Sequence, residues 1–258
     1  MDFTPIVTSF ISTFWYFIPI FVIIAIFRTP WFKGFYGEGM VNLAAKLFLK
    51  KEDYHLVKGV TLPTEDGTTQ IDHIIVSRYG IFVIESKNMK GWIFGNPNQA
   101  IWTQKIFKHT NKFQNPLHQN YKHVKTLESC LGLPEEKFFS LIVFVGDSTF
   151  KTNMPDNVTY AGGYIRFIKS KKTVVLSVAE VADVISKIKG GRLEPSFQTH
   201  RSHVNHVKAN IAAKKNSSSC PKCGSDLVVR VSKKGPNAGN KFTGCSNFPK
   251  CRYVKSGT

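Results

Sequence analysis

The sequence predicts an α/β protein, a mixed sheet flanked by helices, with an apolar helix ahead of it and a small cysteine-bound module behind it. Three observations predict this. Between residues 31 and 195, apolar runs of strand length alternate with amphipathic stretches of helix length. From Phe3 to Phe27 no charged residue occurs. Four of the five cysteines fall in two pairs near the C-terminus. At 258 residues and 42% hydrophobic content the chain has ample apolar surface for a core, which excludes global disorder, and too little length for a large multidomain machine. The expected divisions are an anchor over residues 1–30, an α/β domain over 31–195, a basic linker over 196–218 and a metal-bound module over 219–258.

The first segment is read as a transmembrane helix, since a bilayer core needs about 20 apolar residues. A cleavable signal peptide would need a basic start and small residues at its end, whereas this segment closes in Phe27-Arg28-Thr29-Pro30. Asp2 precedes it and Arg28 and Lys33 follow, so the basic-flank rule expects a single-pass plasma-membrane protein with its C-terminal bulk in the cytoplasm. A reducing compartment suits unpaired, clustered cysteines.

Beyond it, Glu38 to Leu49 carries Met40, Val41, Ala44, Leu47 and Phe48 on one helical stripe, with Gly34 and Gly37 ahead. Strands are expected at Leu56 to Leu62, Gln70 to Ser77 and Ile81 to Ser86, the last two forming a hairpin. Asn115-Pro116 supplies an N-cap and a first-turn proline for a helix through Leu131, striped by Leu117, Tyr121, Val124 and Leu131. Phe138 to Val145 reads as a buried strand and Thr173 to Leu176 as a last one. Ser177-Val178-Ala179-Glu180 is a capping box opening a helix that stops at Gly190-Gly191. The polar stretch to residue 219 reads as linker, with helix near Val204 to Lys214.

Charge separates the regions. Lys plus Arg number 35 against 17 Asp plus Glu, a formal +18, which points to a polyanionic partner. Residues 200–258 hold 12 basic side chains and only Asp226 as an acid.

Chemistry concentrates in the hairpin, where Gln70-Ile71-Asp72-His73 and Ile84-Glu85-Ser86-Lys87 set charges among apolar neighbours, a costly arrangement unless they are paired or bind metal. With Tyr79-Gly80 as the two-residue turn, Asp72 would face Lys87, and Glu85 would lie diagonal to Asp72 on the face it shares with Lys87. Two carboxylates there can hold a hard divalent cation, with the ammonium beside a phosphate under attack. A plain cross-strand salt bridge between Asp72 and Lys87 fits the same pattern.

Gly37-Glu38, Ile71-Asp72-His73, Ile84-Glu85-Ser86-Lys87-Asn88 and Asn115-Pro116-Leu117-His118-Gln119 together resemble the nuclease-related domain, which is similar to the PD-(D/E)xK restriction-endonuclease-like nucleases. The likeness covers about residues 34 to 145, and Ile71 stands where the nominal signature has proline. The resemblance implies Glu38, Asp72, Glu85, Lys87 and Gln119 converging on one Mg2+ (or Mn2+) site, with Asp72, Glu85 and the Ser86 carbonyl as ligands. Without it, Glu38 suits its helix dipole as well as it suits catalysis, and Gln119 fits an ordinary helix surface. His73 is expected as a packed, hydrogen-bonded histidine and Trp92 and Trp102 as core. Cys130 reads as a buried thiol, and His55, His109, His118 and His123 show no pairing.

In the tail, Cys220-Pro221-Lys222-Cys223 and Cys245-Ser246-Asn247-Phe248-Pro249-Lys250-Cys251 form two knuckles that suit a closed tetrahedral Zn2+ site. A module this small needs such a metal to fold. The stretch resembles the C-terminal C4 zinc ribbons of bacterial type I topoisomerases, which implies binding of single-stranded DNA. Phe242, Phe248 and Tyr253 interleave with Lys241, Lys250 and Arg252, a pattern for base stacking with phosphate neutralisation, although a solvated basic face would look the same. The expectation is a membrane-anchored, Mg2+-dependent nuclease acting on DNA. The competing expectation is a noncatalytic membrane tether that binds nucleic acid or a partner through an inactive nuclease fold.

Overall fold

A computed structural model describes residues 15, 17–27, 29–64, 67–193, 220, 222–223, 225–232 and 239–255. The chain divides into two compact units between Pro195 and Ser196. The expected helix at 204–214 lies outside the described residues, as does much of the expected transmembrane segment. Residues 17–27 are helical and exposed, and among the described residues no helix is long and apolar enough to cross a membrane.

Thr29 ends that stretch: its backbone and side chain donate to the Ile26 carbonyl, and its hydroxyl caps the next helix by accepting from Phe32 N–H at 3.2 Å. With Pro30 at the first helical position, α1 runs Pro30–Phe48 and starts earlier than the glycines suggested, so Gly34 and Gly37 lie inside it. Val41, Ala45 and the following Leu49 are buried in the core with Ala44 packed against them; Leu47 and Phe48 of the expected stripe are exposed.

The main sheet has the order β1-β2-β3-β7-β9, from β1 (Tyr54–Thr64), β2 (Gly67–Ser77), β3 (Gly80–Asn88), β7 (Phe138–Val145) and β9 (Val158–Tyr160). The first three strands are antiparallel, and β3, β7 and β9 run parallel. Such a mixed sheet needs cover on both faces. Helices α2 (Pro116–Leu131) and α4 (Val178–Gly191) cover one face, packing Leu127, Val184 and Ile188 on Ile74, Val76 and Val83. Helices α1 and α3 (Tyr164–Ser170) cover the other, packing Val41 and Ile168 on Ile75, Phe82 and Leu141.

A second sheet, absent from the sequence reading, has the order β6-β5-β4-β8, from β4 (Gly91–Phe94), β5 (Ile101–Ile106), β6 (His109–Gln114) and β8 (Ser148–Phe150). It closes a third core around Trp102, Ile93 and Phe144. Thr173 to Leu176 is not a strand; its Val175 and Leu176 N–H groups both donate to the Arg78 carbonyl. The capping box at Ser177 and Glu180 forms as expected. The C-terminal unit is a three-stranded antiparallel sheet of β10 (Leu227–Val231), β11 (Lys241–Cys245) and β12 (Val254–Lys255).

Candidate active site and zinc ribbon

The hairpin that builds the site is set two residues away from the expected register. Ser77 pairs with Gly80, so Arg78-Tyr79 is the turn, and His73 pairs with Ile84. Gly80 takes φ +136 and its position is closed to any Cβ by the Phe139 ring at 2.5 Å, which leaves glycine the one residue that fits. Asp72 therefore stands level with Glu85 and not Lys87. A slip of two preserves the face, so the carboxylates still converge.

Glu85 is 3% exposed and held at both oxygens. Its Oε1 accepts from Lys87 Nζ at 2.6 Å, and its Oε2 lies 3.3 Å from His123 Nε2, close enough for an ion pair although short of hydrogen-bond geometry. Lys87 Nζ also donates to Gln119 Oε1 at 3.0 Å. The pairing that forms is thus Glu85 with Lys87, and not the expected Asp72 with Lys87. Asp72 Oδ2 accepts from both the N–H and the hydroxyl of Ser86, at 2.9 and 2.8 Å.

Helix α2 brings Gln119 and His123, one turn apart, onto β3. Asn115 caps the helix by accepting from Leu117 N–H at 2.9 Å, while its amide donates to the carbonyls of Pro97 and Gln99. Asn120, fully buried, donates to the Val83 carbonyl at 2.8 Å on β3 and to the Ser140 hydroxyl at 2.9 Å on β7. Glu38 comes from the opposite helix layer. A Cβ on Gly37 would meet the Asn88 side chain at 3.0 Å, so glycine lets α1 approach the end of β3 closely.

The electrostatics follow from this crowding. Burial, then the charges of Asp72 and Glu85, raise the Glu38 carboxyl to about 7. Burial and the Glu85 charge raise Asp72 to about 6 against the hydrogen bonds from Ser86. Burial also works to raise Glu85, but its contacts with His123 and Lys87 outweigh that and hold it below the ordinary carboxylate range.

His123 is the residue that the sequence reading missed. It is buried, with Nδ1 2.9 Å from the Thr69 hydroxyl. Its spacing of four from Gln119 was the available signal, since such residues share a helical face. His73 is packed as expected, on the face away from Asp72, but neither ring nitrogen finds a hydrogen-bond partner among the described residues; burial lowers it to about 4. Cys130 is exposed and not buried, because α2 presents Leu127 and Leu131 to the core instead. Trp102 is core, whereas Trp92 is 48% exposed.

In the ribbon, all four Sγ atoms of Cys220, Cys223, Cys245 and Cys251 lie within 4.8 Å of one another. The Cys220–Cys251 and Cys223–Cys245 separations are 3.7 and 3.3 Å. Zn–S bonds of about 2.3 Å give tetrahedral edges of about 3.8 Å, so the donor set fits Zn2+. Hydrogen bonds from Ser225 lower the Cys223 thiol to about 6, while burial pushes the Cys245 thiol up to about 12. Among the described residues this is the one set of three or more His, Cys, Asp or Glu groups so closely spaced.

Beside the cysteines, Phe242, Phe248, Arg252 and Tyr253 line a pocket of about 220 Å³ with Arg230, whose guanidinium lies 5.8 Å from the Phe248 ring centre. Lys241 and Lys250 are exposed outside it.

Residues 33–145 match the family model of the nuclease-related domain. Residues 217–257 match that of the topoisomerase DNA binding C4 zinc finger. An uncharacterized Bacillus anthracis protein is 50% identical over 103 residues, 39% of this chain and 48% of that one. The uncharacterized Escherichia coli protein YrdD is 46% identical over 49 residues, 19% of this chain and 24% of its own length. DNA topoisomerase 1 of Pyrococcus horikoshii is 59% identical over 32 residues, 12% of this chain and 4% of the topoisomerase. The chain thus spans about half or less of these relatives. No solved structure matches. The chain carries a nuclease-related domain and a topoisomerase-type zinc ribbon, a pair that suggests a DNA-binding, nuclease-like protein.

Proposed function

We propose that the chain is a membrane-anchored, Mg2+-dependent nuclease that hydrolyses phosphodiester bonds of DNA, with a ribbon that holds single-stranded DNA. The observation that carries the reading is the convergence of Glu38, Asp72, Glu85, Lys87 and Gln119 at one end of β2 and β3. Carboxylates with raised pKa values repel one another as anions, and a divalent cation would relieve that repulsion. Their hard oxygen donors suit Mg2+ or Mn2+. Asp72, Glu85 and the Ser86 carbonyl would hold the ion, with Glu38 at its edge. Bound there, the ion would lower the pKa of a water molecule and offset charge on the phosphate.

The side chains have separate tasks. Lys87 spends two of its three N–H donors on Glu85 and Gln119, leaving a third to meet a phosphate oxygen. Gln119 fixes the ammonium and retains its amide donor to orient the phosphate or the attacking water. His123 and Thr69 hold Glu85 from behind. Ribbon aromatics stack on bases, and the exposed lysines neutralise phosphates. The uncharged, exposed helical residues 17–27 support anchoring in a plasma membrane, and Arg28 and Lys33 after them support a cytoplasmic side for the remaining chain.

A noncatalytic tether is the second reading, favoured by the 2.6 Å Lys87–Glu85 pair, which neutralises the buried carboxylate without a metal. The decisive test uses the purified full chain in detergent, titrated with Mg2+ in a calorimeter and assayed on labelled DNA and RNA. The nuclease reading expects binding that releases protons and strengthens from pH 6 to pH 8, because the ion displaces protons from Glu38 and Asp72. It also expects cleavage that stops in chelator. Binding of DNA without Mg2+ uptake or cleavage would establish the tether instead.

A further inference from the structure

The exposed face of the second sheet is an aromatic and basic surface that neither the carboxylate site nor the ribbon uses. Its inner face buries Ile93 and Trp102 in the core, with Phe113 and Phe150 packed against them. Strand alternation turns the intervening residues outward. Trp92 pairs with Lys105, which pairs with Thr110, and on the other side Trp92 pairs with Thr149. Lys112 joins this face through its pairing with Thr103, and Lys151 lies two residues beyond Thr149 with Nζ 4.7 Å from the Trp92 ring centre.

The β5–β6 hairpin ends this face. Ile106 pairs with His109, so Phe107 and Lys108 form a two-residue turn. Turns of this kind place positive φ where glycine or asparagine is usual. Here Phe107 takes φ 51 and is 93% exposed. A bulky residue avoids both conditions, and strained conformations gather where a protein meets a ligand. Phe107, Trp92, Lys90, Lys105 and Thr149 line a groove of about 460 Å³ in which Asp147 is the one acid. Lys90, Lys105, Lys108, Lys112 and Lys151 form no ion pair among the described residues.

We infer that this surface is a stacking platform for single-stranded nucleic acid, with bases on Trp92 and Phe107 and phosphates on the lysines. The charge is complementary to a polyanion, and π faces among cations are what a strand needs for sequence-tolerant binding. Lys90 follows Lys87 by three residues, at most about 10 Å of extended chain, so a strand on the platform starts close to the carboxylate site; Lys90 and Ile106 also line a pocket with Phe27 and Phe32, so an anionic bilayer is the occupant that the test must exclude. The inference deepens the DNA-directed reading of that site, and its test does not require cleavage.

The test places a benzophenone amino acid at position 107 of the full chain and irradiates it in chelator with a labelled single-stranded oligonucleotide. A parallel sample holds vesicles of phosphatidylglycerol and phosphatidylcholine. The expected result is an adduct with DNA that is lost when Lys105→Glu and Lys112→Glu are added. Phe107→Gly should raise the unfolding midpoint by about 2 °C by relieving the turn. With the ribbon's own contribution removed by Cys245→Ser, the same substitution should weaken oligonucleotide binding about tenfold, as Trp92→Ala should. Adducts with lipid alone, or DNA binding unchanged by both substitutions in that background, would overturn the platform. A chain that cross-links to DNA but cleaves nothing under any metal keeps the platform and loses only the nuclease reading.

Discussion

The two chemical centres of this chain are built in opposite ways. In the N-terminal unit the fold makes the site: three hydrophobic clusters bury the sheet, and Glu38, Asp72, Glu85, Lys87 and Gln119 meet because two helix layers and a hairpin deliver them. In the ribbon the site makes the fold, since its buried cluster is Cys220, Cys245 and Cys251 themselves, with Leu227 and Tyr253 alongside. One centre is an electrostatic liability carried by a stable scaffold. The other is the scaffold.

Metal removal should break this comparison most visibly. Structural zinc contributes on the order of 10 kcal/mol to such modules. Cys245→Ser should therefore abolish the one expected Zn2+ per chain, measured by elemental analysis, and unfold the ribbon. The cooperative melting of residues 30–193 should persist. DNA affinity should fall and its dependence on salt become shallower, because fewer phosphates are neutralised. Simultaneous melting of both units would mean that they are not separate structures.

In the other centre, Lys87→Ala should lower kcat/KM for DNA by at least about a hundredfold while the circular dichroism spectrum stays unchanged. Glu85→Gln keeps the shape and should match that loss. Equal activity in either protein would remove the assignment of this cluster to catalysis.

His123→Asn tests the support behind Glu85. Outer partners of ligating carboxylates carry roughly tenfold to a hundredfold in metal affinity. Mg2+ binding measured by calorimetry should weaken by about tenfold, with the loss appearing at limiting and not at saturating Mg2+. A variant that loses turnover equally at saturating Mg2+ would place His123 in the chemistry itself.

The smallest effect concerns acid stability. His73 is held near 4 by burial, below its unfolded value of 6.5, so the unfolded chain takes up a proton first as pH falls. Its contribution is complete above pH 6.5 and is lost progressively towards pH 4. His73→Leu should therefore narrow the difference in unfolding free energy between pH 7 and pH 5 by about 2 kcal/mol relative to wild type. Comparing the two proteins in the same buffers cancels the opposite trend from Glu38 and Asp72, whose raised values cost stability as pH rises. An unchanged difference would mean that water reaches the ring.

The elements written locally in the sequence were legible there. Asn115-Pro116, the capping box at Ser177 and Glu180, and the apolar run of Phe138–Val145 each formed as read, because the signal and the structure occupy the same few residues. What depended on distant neighbours was not. The hairpin register turned on Gly80, whose confinement comes from Phe139 in a later strand. Helix α2 showed the deeper difficulty: its buried face uses Asn120 and His123 beside Val124 and Leu127, while Tyr121 of the expected stripe points to solvent. Hydropathy ranks those residues the wrong way round, since it cannot know that strand carbonyls and Glu85 await them. The second sheet escaped notice because its strands are short and half polar. Trp92 and Trp102 look alike until strand pairing assigns them opposite faces.

Asn120 has a mechanical meaning beyond its hydrogen bonds. A helix lying on apolar side chains alone can slide or roll among nearly equivalent seats, and a shift of one residue turns its side chains by about 100°. By grasping the backbone of β3 and the hydroxyl of Ser140 on β7 together, Asn120 acts as an index pin, fixing the rotation of α2 against two strands at once. Gln119 and His123 sit within three residues of the pin, so their aim at Lys87 and Glu85 inherits its tolerance. The alignment of the candidate site is therefore set by a side chain that would touch neither ion nor phosphate, and wear at that joint would be felt as lost accuracy before it was felt as lost stability.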